Sequence, residues 1–275
     1  MVLLNVLQQF DDVQLTVAHF DHGIRQDSAD DCQLVRQVAK LYGLPFVFQE
    51  GKLGSTTSEA TARKARYKFL RSVQKAAGAT AIITAHHQDD VLETAILNML
   101  RGTGRKGLSA LHNRSDLLRP LLQIPKSKII AYANEHELIW HEDSTNQDPK
   151  YLRNYVRQAI LPRFDPDARQ QLLDLITENR RINHELDEEL TNQLHYQSTA
   201  HTLNQKWFIS LPHTAAREVM ASWLRAHGLQ DFDRRTLERL TVKAKISDSQ
   251  QRHNVFGKHW MVVSEKQLAL MVQER

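Results

Sequence analysis

Short apolar runs alternate with segments of helical period over the first 140 residues, and nothing else in the chain constrains its fold as tightly. "VQLTVAHF" (13–20), "LPFVFQE" (44–50) and the run 80–85, built on Ala81, Ile82 and Ile83, read as strands. Between them lie "DDCQLVRQVAKLYG", with Leu34, Val35, Val38 and Leu41 on one helical face and Gly43 as a stop, and "EATARKARYKFLRSVQKAAG", ended by Gly78. From Val91 the apolar positions (Leu92, Ala95, Ile96, Met99, Leu100) again follow a helix. Strands joined by helices of a dozen or more residues are βαβ units, so the spacing predicts an α/β domain with a parallel sheet. "RPLLQIPKSKIIAYANEHEL" adds a loop and a helix, and the prolines of "LPRFDPDARQ" mark a break. Leu172, Ile176, Ile182, Leu186, Leu190 and Leu194 then predict one long connecting helix. The organisation expected is a domain over 1–165, a helix over 166–195 and a smaller mixed, mainly helical module over 196–275.

Composition narrows the classes. A chain of 275 residues has room for a sizeable core. No apolar run approaches the ~18 residues of a membrane helix, and "MVLLNVLQQF" lacks the charged start of a signal peptide, so a cytoplasmic protein with no membrane partner is expected. The single cysteine, Cys32, excludes an internal disulfide and a CxxC site within these residues. Residues 1–150 carry 18 basic and 17 acidic side chains, and residues 151–275 carry 18 and 15, within a net charge of +4. Neither half is strongly basic, so a nucleic-acid surface would have to come from local clustering.

Polar groups gather where strands end. His19, His22 and Arg25 follow the first strand, and His86, His87, Asp89, Asp90 and Glu93 follow the run 80–85. In a parallel sheet the carboxyl ends of strands share one edge, where such folds bind ligands. Asp89 and Asp90 open a helix, so capping its free N–H groups is one reading. Holding Mg²⁺, an oxygen-seeking ion often completed by nucleotide phosphates, is another. Arg63 and Arg66 share a helical face, and "RGTGRKG" (101–107) is a glycine-rich basic loop that suits an anion or forms a turn. A zinc or iron hydrolase is the competing reading of "HHQDD". Adjacent histidines on extended chain point to opposite faces, and no HExxH is present, which argues against it.

"AHFDHGIR" (18–25), "EATARKARYKFL" (59–70), "TAHHQDDVLETAILNMLRGTGRKGLSAL" (84–111), "RPLLQIPK" (119–126) and "EDSTNQDPKYLRNYVRQAILP" (142–162) together resemble the tRNA(Ile)-lysidine synthetases. These enzymes form a family within the N-type ATP-pyrophosphatase (PP-loop) group. The likeness covers about the first 165 residues and is looser beyond. It implies adenylation of the wobble cytidine of an isoleucine tRNA with a CAU anticodon, using ATP and Mg²⁺ and releasing pyrophosphate. The amine of free L-lysine then displaces AMP. The same resemblance implies catalytic roles for Asp89, Asp90, His86, Glu93 and Arg63, with Asp89 and Asp90 on Mg²⁺. It places Arg66, Arg101, Arg105, Lys106, His22 and Arg25 on ATP or lysine, and Arg153, Asn154 and Arg157 on tRNA. The module over 196–275 would bind tRNA, and a homodimer is left open. Another PP-loop tRNA modifier such as a thiolase, or an inactive tRNA-binding fragment, is the alternative; the thiolases that use paired cysteines fit a one-cysteine chain poorly.

The resemblance also raises an expectation about the start. In the family a glycine-rich SGGxDS loop cradles the ATP phosphates ahead of a helix like "MVLL", and residues 1–275 contain no such segment. The chain as given is therefore expected to lack the first strand and phosphate loop, to leave a gap in its sheet, and not to turn ATP over.

Overall fold

The computed structural model describes residues 1–23, 28–54, 57–109, 111–141, 152–199, 201–229 and 232–272. They fall into two compact units, Met1–Asn179 and Arg180–Arg275.

The first unit runs α1 (Val2–Leu7), β1 (Val17–Asp21), α2 (Ser28–Leu41), β2 (Phe46–Glu50), α3 (Glu59–Ala76), β3 (Ile82–Ile83), α4 (Gln88–Leu100), α5 (Arg105–Leu108), β4 (Leu117–Leu118), α6 (Lys126–Glu135) and α7 (Leu152–Tyr155). The start of α8 (Pro166–Gln197) completes it. Glycines stop α2 and α3 as expected: Gly43 and Gly78 sit at φ +65° and +62°, a conformation that costs other residues about 1 kcal/mol or more. Strand β1 pairs with β2 in parallel, and β3 pairs with β4 in parallel. These are two separate two-stranded ladders, with no hydrogen-bonded strand between them among the described residues. The strand expected over 80–85 is accordingly only two residues long, because a ladder extends only where a partner strand runs beside it. Helix α3 packs on both ladders, and Arg71 fastens it to the start of β4 through an ion pair of 2.7 Å with Asp116.

The apolar face of α4 makes the core of this unit: Val91, Leu92, Ala95, Ile96 and Leu97 pack with Leu111, Leu122, Val156, Leu161 and Ile176. Helix α7 runs straight into a π-helical turn, Val156–Ile160.

In the second unit, β5 (Thr202–Asn204), α9 (Gln205–Ser210), α10 (His213–Ala226) and α11 (Arg234–Ile246) precede β6 (Arg252–Phe256), β7 (His259–Val263) and β8 (Gln267–Val272). The strands form one antiparallel sheet in the order β5-β8-β7-β6. Met261, Val263 and Leu268 on one face of it meet Trp223, Met220, Leu224 and Leu240 from the helices.

The long helix expected over 166–195 is α8, and the division between units falls within it rather than at its ends. Its apolar stripe explains this: Leu172, Leu173 and Ile176 join the first core, and Leu186, Leu190 and Leu194 join the second.

Candidate functional site

The site is built from the carboxyl ends of β3 and β4 and the helix start that follows. Ile83 pairs with Leu118, so the next residues on each strand, Thr84 and Arg119, emerge side by side. The Thr84 hydroxyl lies 2.8 Å from Nδ1 of His86 and fixes that ring. Burial holds the His86 imidazole down to about 4; Asp90 opposes the shift, and Arg63, Arg66 and Arg119 reinforce it. His86 is therefore neutral at physiological pH.

His87 caps α4 in an extended conformation, and its backbone N–H donates to Oδ2 of Asp90 at 2.9 Å. Asp89 accepts the backbone N–H of Lys126 on Oδ2 at 2.9 Å and pairs with Arg169 through Oδ1, also at 2.9 Å. Both readings of the aspartate pair thus have a place. Three of the four carboxylate oxygens are engaged: both of Asp89 tie the helix start to α6 and α8, and Oδ2 of Asp90 closes the cap on His87. The fourth, Oδ1 of Asp90, accepts no hydrogen bond and faces Arg157 Nη2 at 3.9 Å. Among the described residues no group of three His, Cys, Asp or Glu stands together as a metal cage. Mg²⁺ commonly needs only one or two carboxylates when phosphates supply other ligands, and Asp90 retains a free oxygen for that.

One turn further along α4, Glu93 is only 1% exposed. Arg153 Nε donates to it at 3.0 Å, and Arg157 donates through Nε at 2.6 Å and Nη2 at 2.9 Å. Arg153 also bonds Glu59 at 3.0 Å and Thr94 at 3.3 Å. Burial works against the Arg153 charge, but the bond to Glu93 and the carboxylates of Glu93, Glu59 and Asp90 outweigh it and raise its pKa. For Arg157 the bond to Glu93 is the largest influence and raises the pKa. The four-residue spacing sets both guanidinium groups on this one buried carboxylate. Asn154, between them, is buried too.

On α3, Arg63 and Arg66 lie against the Tyr67 ring at 4.8 and 5.5 Å. Arg66 has its pKa lowered by burial, despite Tyr67, with Arg63 and Arg153 adding repulsion, and its Nε is buried without a hydrogen-bond partner. Burial alone would raise the Tyr67 phenol, yet Arg63, Arg119 and Arg66 hold it below its usual value. Arg119, which the sequence reading did not single out, is 5% exposed and leaves its Nε unbonded as well. Three guanidinium groups thus gather on one phenol, an arrangement that attracts an anion. The signal for Arg119 was its position at a strand's carboxyl end, within "RPLLQIPK".

Other expected residues stand elsewhere. His22 follows β1, on the other ladder, with its ring edge-on to Phe20. Arg25 lies outside the described residues, as does all of "EDSTNQDPKY". Arg101, Arg105 and Lys106 sit at the far end of α4, whose 13 residues span about 20 Å. They stand at the opposite end of α4 from Asp90. Gly102, at φ +64°, turns the chain off the end of α4. Asn98 binds the loop back by donating to the Gly107 carbonyl at 2.7 Å. The turn reading explains this loop.

Beside the helix start lies a pocket of about 370 Å³, walled by Leu3, Ile129, Ile130 and Ala133 and bordered by His87 and Arg157. An apolar cavity with a few polar groups at its rim is the usual form of a small-molecule site.

Comparison with known proteins places this arrangement. Residues 1–164 match the family model described as the PP-loop domain. A tRNA(Ile)-lysidine synthase of Thermotoga sp. (strain RQ2) is 37% identical over 172 residues, 59% of this chain and 42% of the relative. Another, from Serratia proteamaculans, is 32% identical over 265 residues, 90% of this chain and 58% of the relative. The chain therefore spans about half the length of these curated relatives. Among solved structures, the U34-tRNA thiolase NcsA from Methanococcus maripaludis, with its [4Fe-4S] cluster, matches with a TM-score of 0.52 at 18% identity. That match covers 66% of each chain and speaks for the fold alone. With strand ends, helix start and family model all in agreement over its first 164 residues, the chain belongs to the PP-loop family.

Proposed function

We propose that the edge formed by β3, β4 and α4 activates a tRNA nucleotide with ATP, in the manner of the lysidine-forming ligases. In that reaction the wobble cytidine of an isoleucine tRNA with a CAU anticodon attacks the α-phosphate of ATP. Pyrophosphate leaves, and the amine of free L-lysine then displaces AMP. The observation that carries the reading is the gathering of Arg63 and Arg66 on Tyr67 with Arg119 at the strand ends beside Thr84, the residue that fixes the His86 ring.

Each residue has a derivable task. The three guanidinium groups neutralise charge that builds on the departing pyrophosphate, and they do so without rearranging. His86 stays uncharged, so it adds no repulsion to an approaching lysine ammonium and can accept a hydrogen bond. Glu93 touches no substrate in this scheme: it holds Arg153 and Arg157, and Arg157 in turn faces Asp90. Asp90 would hold Mg²⁺, which when bound supplies charge neutralisation on the nucleotide phosphates. The pocket beside His87 offers an apolar wall to a nucleobase.

The reading keeps the expectation that these 275 residues alone do not turn ATP over, since no SGGxDS segment is among them. The test joins a strand and an SGGxDS loop ahead of Met1 and measures ATP-dependent incorporation of labelled lysine into the unmodified tRNA. Incorporation by the joined protein and none by the 275-residue chain is the expected pair of results. A joined protein that folds, binds ATP and transfers no lysine contradicts the ligase assignment.

A further inference from the structure

Hydrogen-bond donors outnumber acceptors where α3 meets the end of β4. A guanidinium group carries five N–H donors and no acceptor, whereas a phenol oxygen offers two lone pairs. Arg63 donates through Nη2 to the Tyr67 oxygen at 3.4 Å, and Arg66 and Arg119 hydrogen-bond the same phenol. Arg119 also donates to the His112 carbonyl. The Nε atoms of Arg66 and Arg119 are buried and have no hydrogen-bond partner.

Charge is out of balance in the same place. The carboxylates nearby are taken by other cations: Glu59 and Glu93 by Arg153, and Asp89 by Arg169. Among the described residues no carboxylate pairs with Arg63, Arg66 or Arg119. Arg63 is exposed, Arg66 and Tyr67 are half-buried and Arg119 is buried, so the group leads inward from solvent. Like charges drawn together out of water are costly unless an anion answers them. Guanidinium forks match the oxygens of a phosphate, and three of them suit a highly charged one.

Tyr67 decides what such an anion meets. The arginines occupy its oxygen, and among the described residues no acceptor takes its hydrogen. That hydrogen is available to a ligand lying among the arginines. The charged groups acting on the phenol are Arg63, Arg119 and Arg66, which together lower its pKa against the effect of burial. Neutral His86, from the end of β3, and Arg153 interact with the same arginines, and neither brings negative charge.

We propose that the Tyr67 hydroxyl is a ligand of the pyrophosphate that leaves ATP: its oxygen gathers the three arginines, and its hydrogen donates to the anion seated among them. The inference rests on the activation reading above and adds a leaving-group seat built from α3 and β4, apart from any SGGxDS loop. An ionised phenol has the opposite effect, since it neutralises the arginines and repels the anion.

Calorimetry of inorganic pyrophosphate binding to the 275-residue chain, without Mg²⁺, tests the seat. The wild type should bind at about pH 7.5 and lose about fivefold in affinity by about pH 9.5, as the phenol ionises. Pyrophosphate itself gains charge over that range, so arginines alone would hold it no more weakly at the higher pH. Tyr67→Phe keeps the ring against Arg63 and Arg66 and removes only the hydroxyl. It should bind about tenfold more weakly at the lower pH and show no further fall at the higher one. Thermal melts check that each variant is folded. A second measurement needs no variant: in ultraviolet titration of the wild type, saturating pyrophosphate should move the lowest-titrating tyrosine upward, because a ligand that prefers the phenol raises its pKa. Wild-type affinity and pH profile in Tyr67→Phe, or a tyrosine titration unmoved by pyrophosphate, overturn the proposal. Arg66→Gln separates the two readings. Binding lost there but unchanged in Tyr67→Phe overturns the role of the phenol and leaves the arginines of the activating site standing. Binding that neither variant weakens places pyrophosphate elsewhere and overturns both, and no binding by the wild type overturns the seat.

Discussion

The two units bury different things. In the second, the side chains wholly withdrawn from water include Trp223, Phe208, Leu203, Met220, Leu224, Leu240, Met261, Val263 and Leu268, all apolar; the buried polar residues among those described, Thr241, Asn183 and Gln205, carry no charge. In the first, Glu93 and Arg119 are buried nearly as deeply among Leu92, Ala95 and Leu122. Burying a charge costs several kcal/mol even when it is paired, and a hydrophobic replacement of the same volume often costs nothing. A fold does not need Glu93 or Arg119 for stability. Their presence marks the region where stability is traded for a fixed array of charge, and the second unit shows the packing that results without that demand.

The sharpest way to break this comparison is to remove one charge at a time. Glu93→Ala leaves two partly buried guanidinium groups without their carboxylate and should destabilise the first unit by about 3–5 kcal/mol, read by urea unfolding. Replacing Glu93, Arg153 and Arg157 together by Leu, Met and Met should recover most of that loss. A triple variant as unstable as Glu93→Ala would show that the network is structural after all.

A smaller effect separates His86 from the rest. Its folded pKa, about 4, lies below the ~6.5 of an unfolded histidine, so as pH falls the unfolded chain takes up a proton first. Stability should therefore be lost from about pH 6.5 downward, at up to ~1.4 kcal/mol per pH unit, and level off near the folded value. Between pH 6.5 and 5 that is about 1.6 kcal/mol, and His86→Asn should remove it, as thermal melts at the two pH values will show. His19 and His253 are also held low by burial, so the wild type alone does not isolate His86.

Smaller again is the tie that Asp89 makes from the start of α4. Asp89→Ala loses the Lys126 N–H and the Arg169 pair, and should cost about 1–2 kcal/mol in the melt. At the other extreme, Glu185→Ala breaks an exposed pair with Arg181 on α8 and should change stability by at most about 0.5 kcal/mol.

How much of this could be read in the sequence follows the same divide. Helices announce themselves by period, and α2 and α3 also by their glycine stops, so α2, α3, α4 and α8 were legible. Strand β4 was not, because Leu117–Leu118 is too short to alternate and exists only through its pairing with β3. Strand β6 was hidden by polar residues: "RHNVF" reads as loop until the Gly257 turn folds it onto β7. At the site, residue types were legible and partners were not. Spacing put Arg153 and Arg157 on one helical face, but only the fold reveals that the face looks at Glu93. Arg119 went unnoticed because its importance comes from its neighbour Thr84, 35 residues earlier in the chain.

The central claim is that Asp90 and the arginines around His86 activate a tRNA nucleotide rather than merely close a helix start. Asp90→Asn tests it most directly, since the amide oxygen can still accept the His87 N–H while the negative charge is gone. The measurement is tRNA-dependent release of pyrophosphate from ATP by the protein joined to an SGGxDS strand, with the melting temperature recorded beside it. The account expects release with the CAU transcript, none when the wobble cytidine is replaced by uridine, and a fall of at least about a hundredfold in Asp90→Asn at an almost unchanged melting temperature. Full release by Asp90→Asn, or equal release with either transcript, would contradict it.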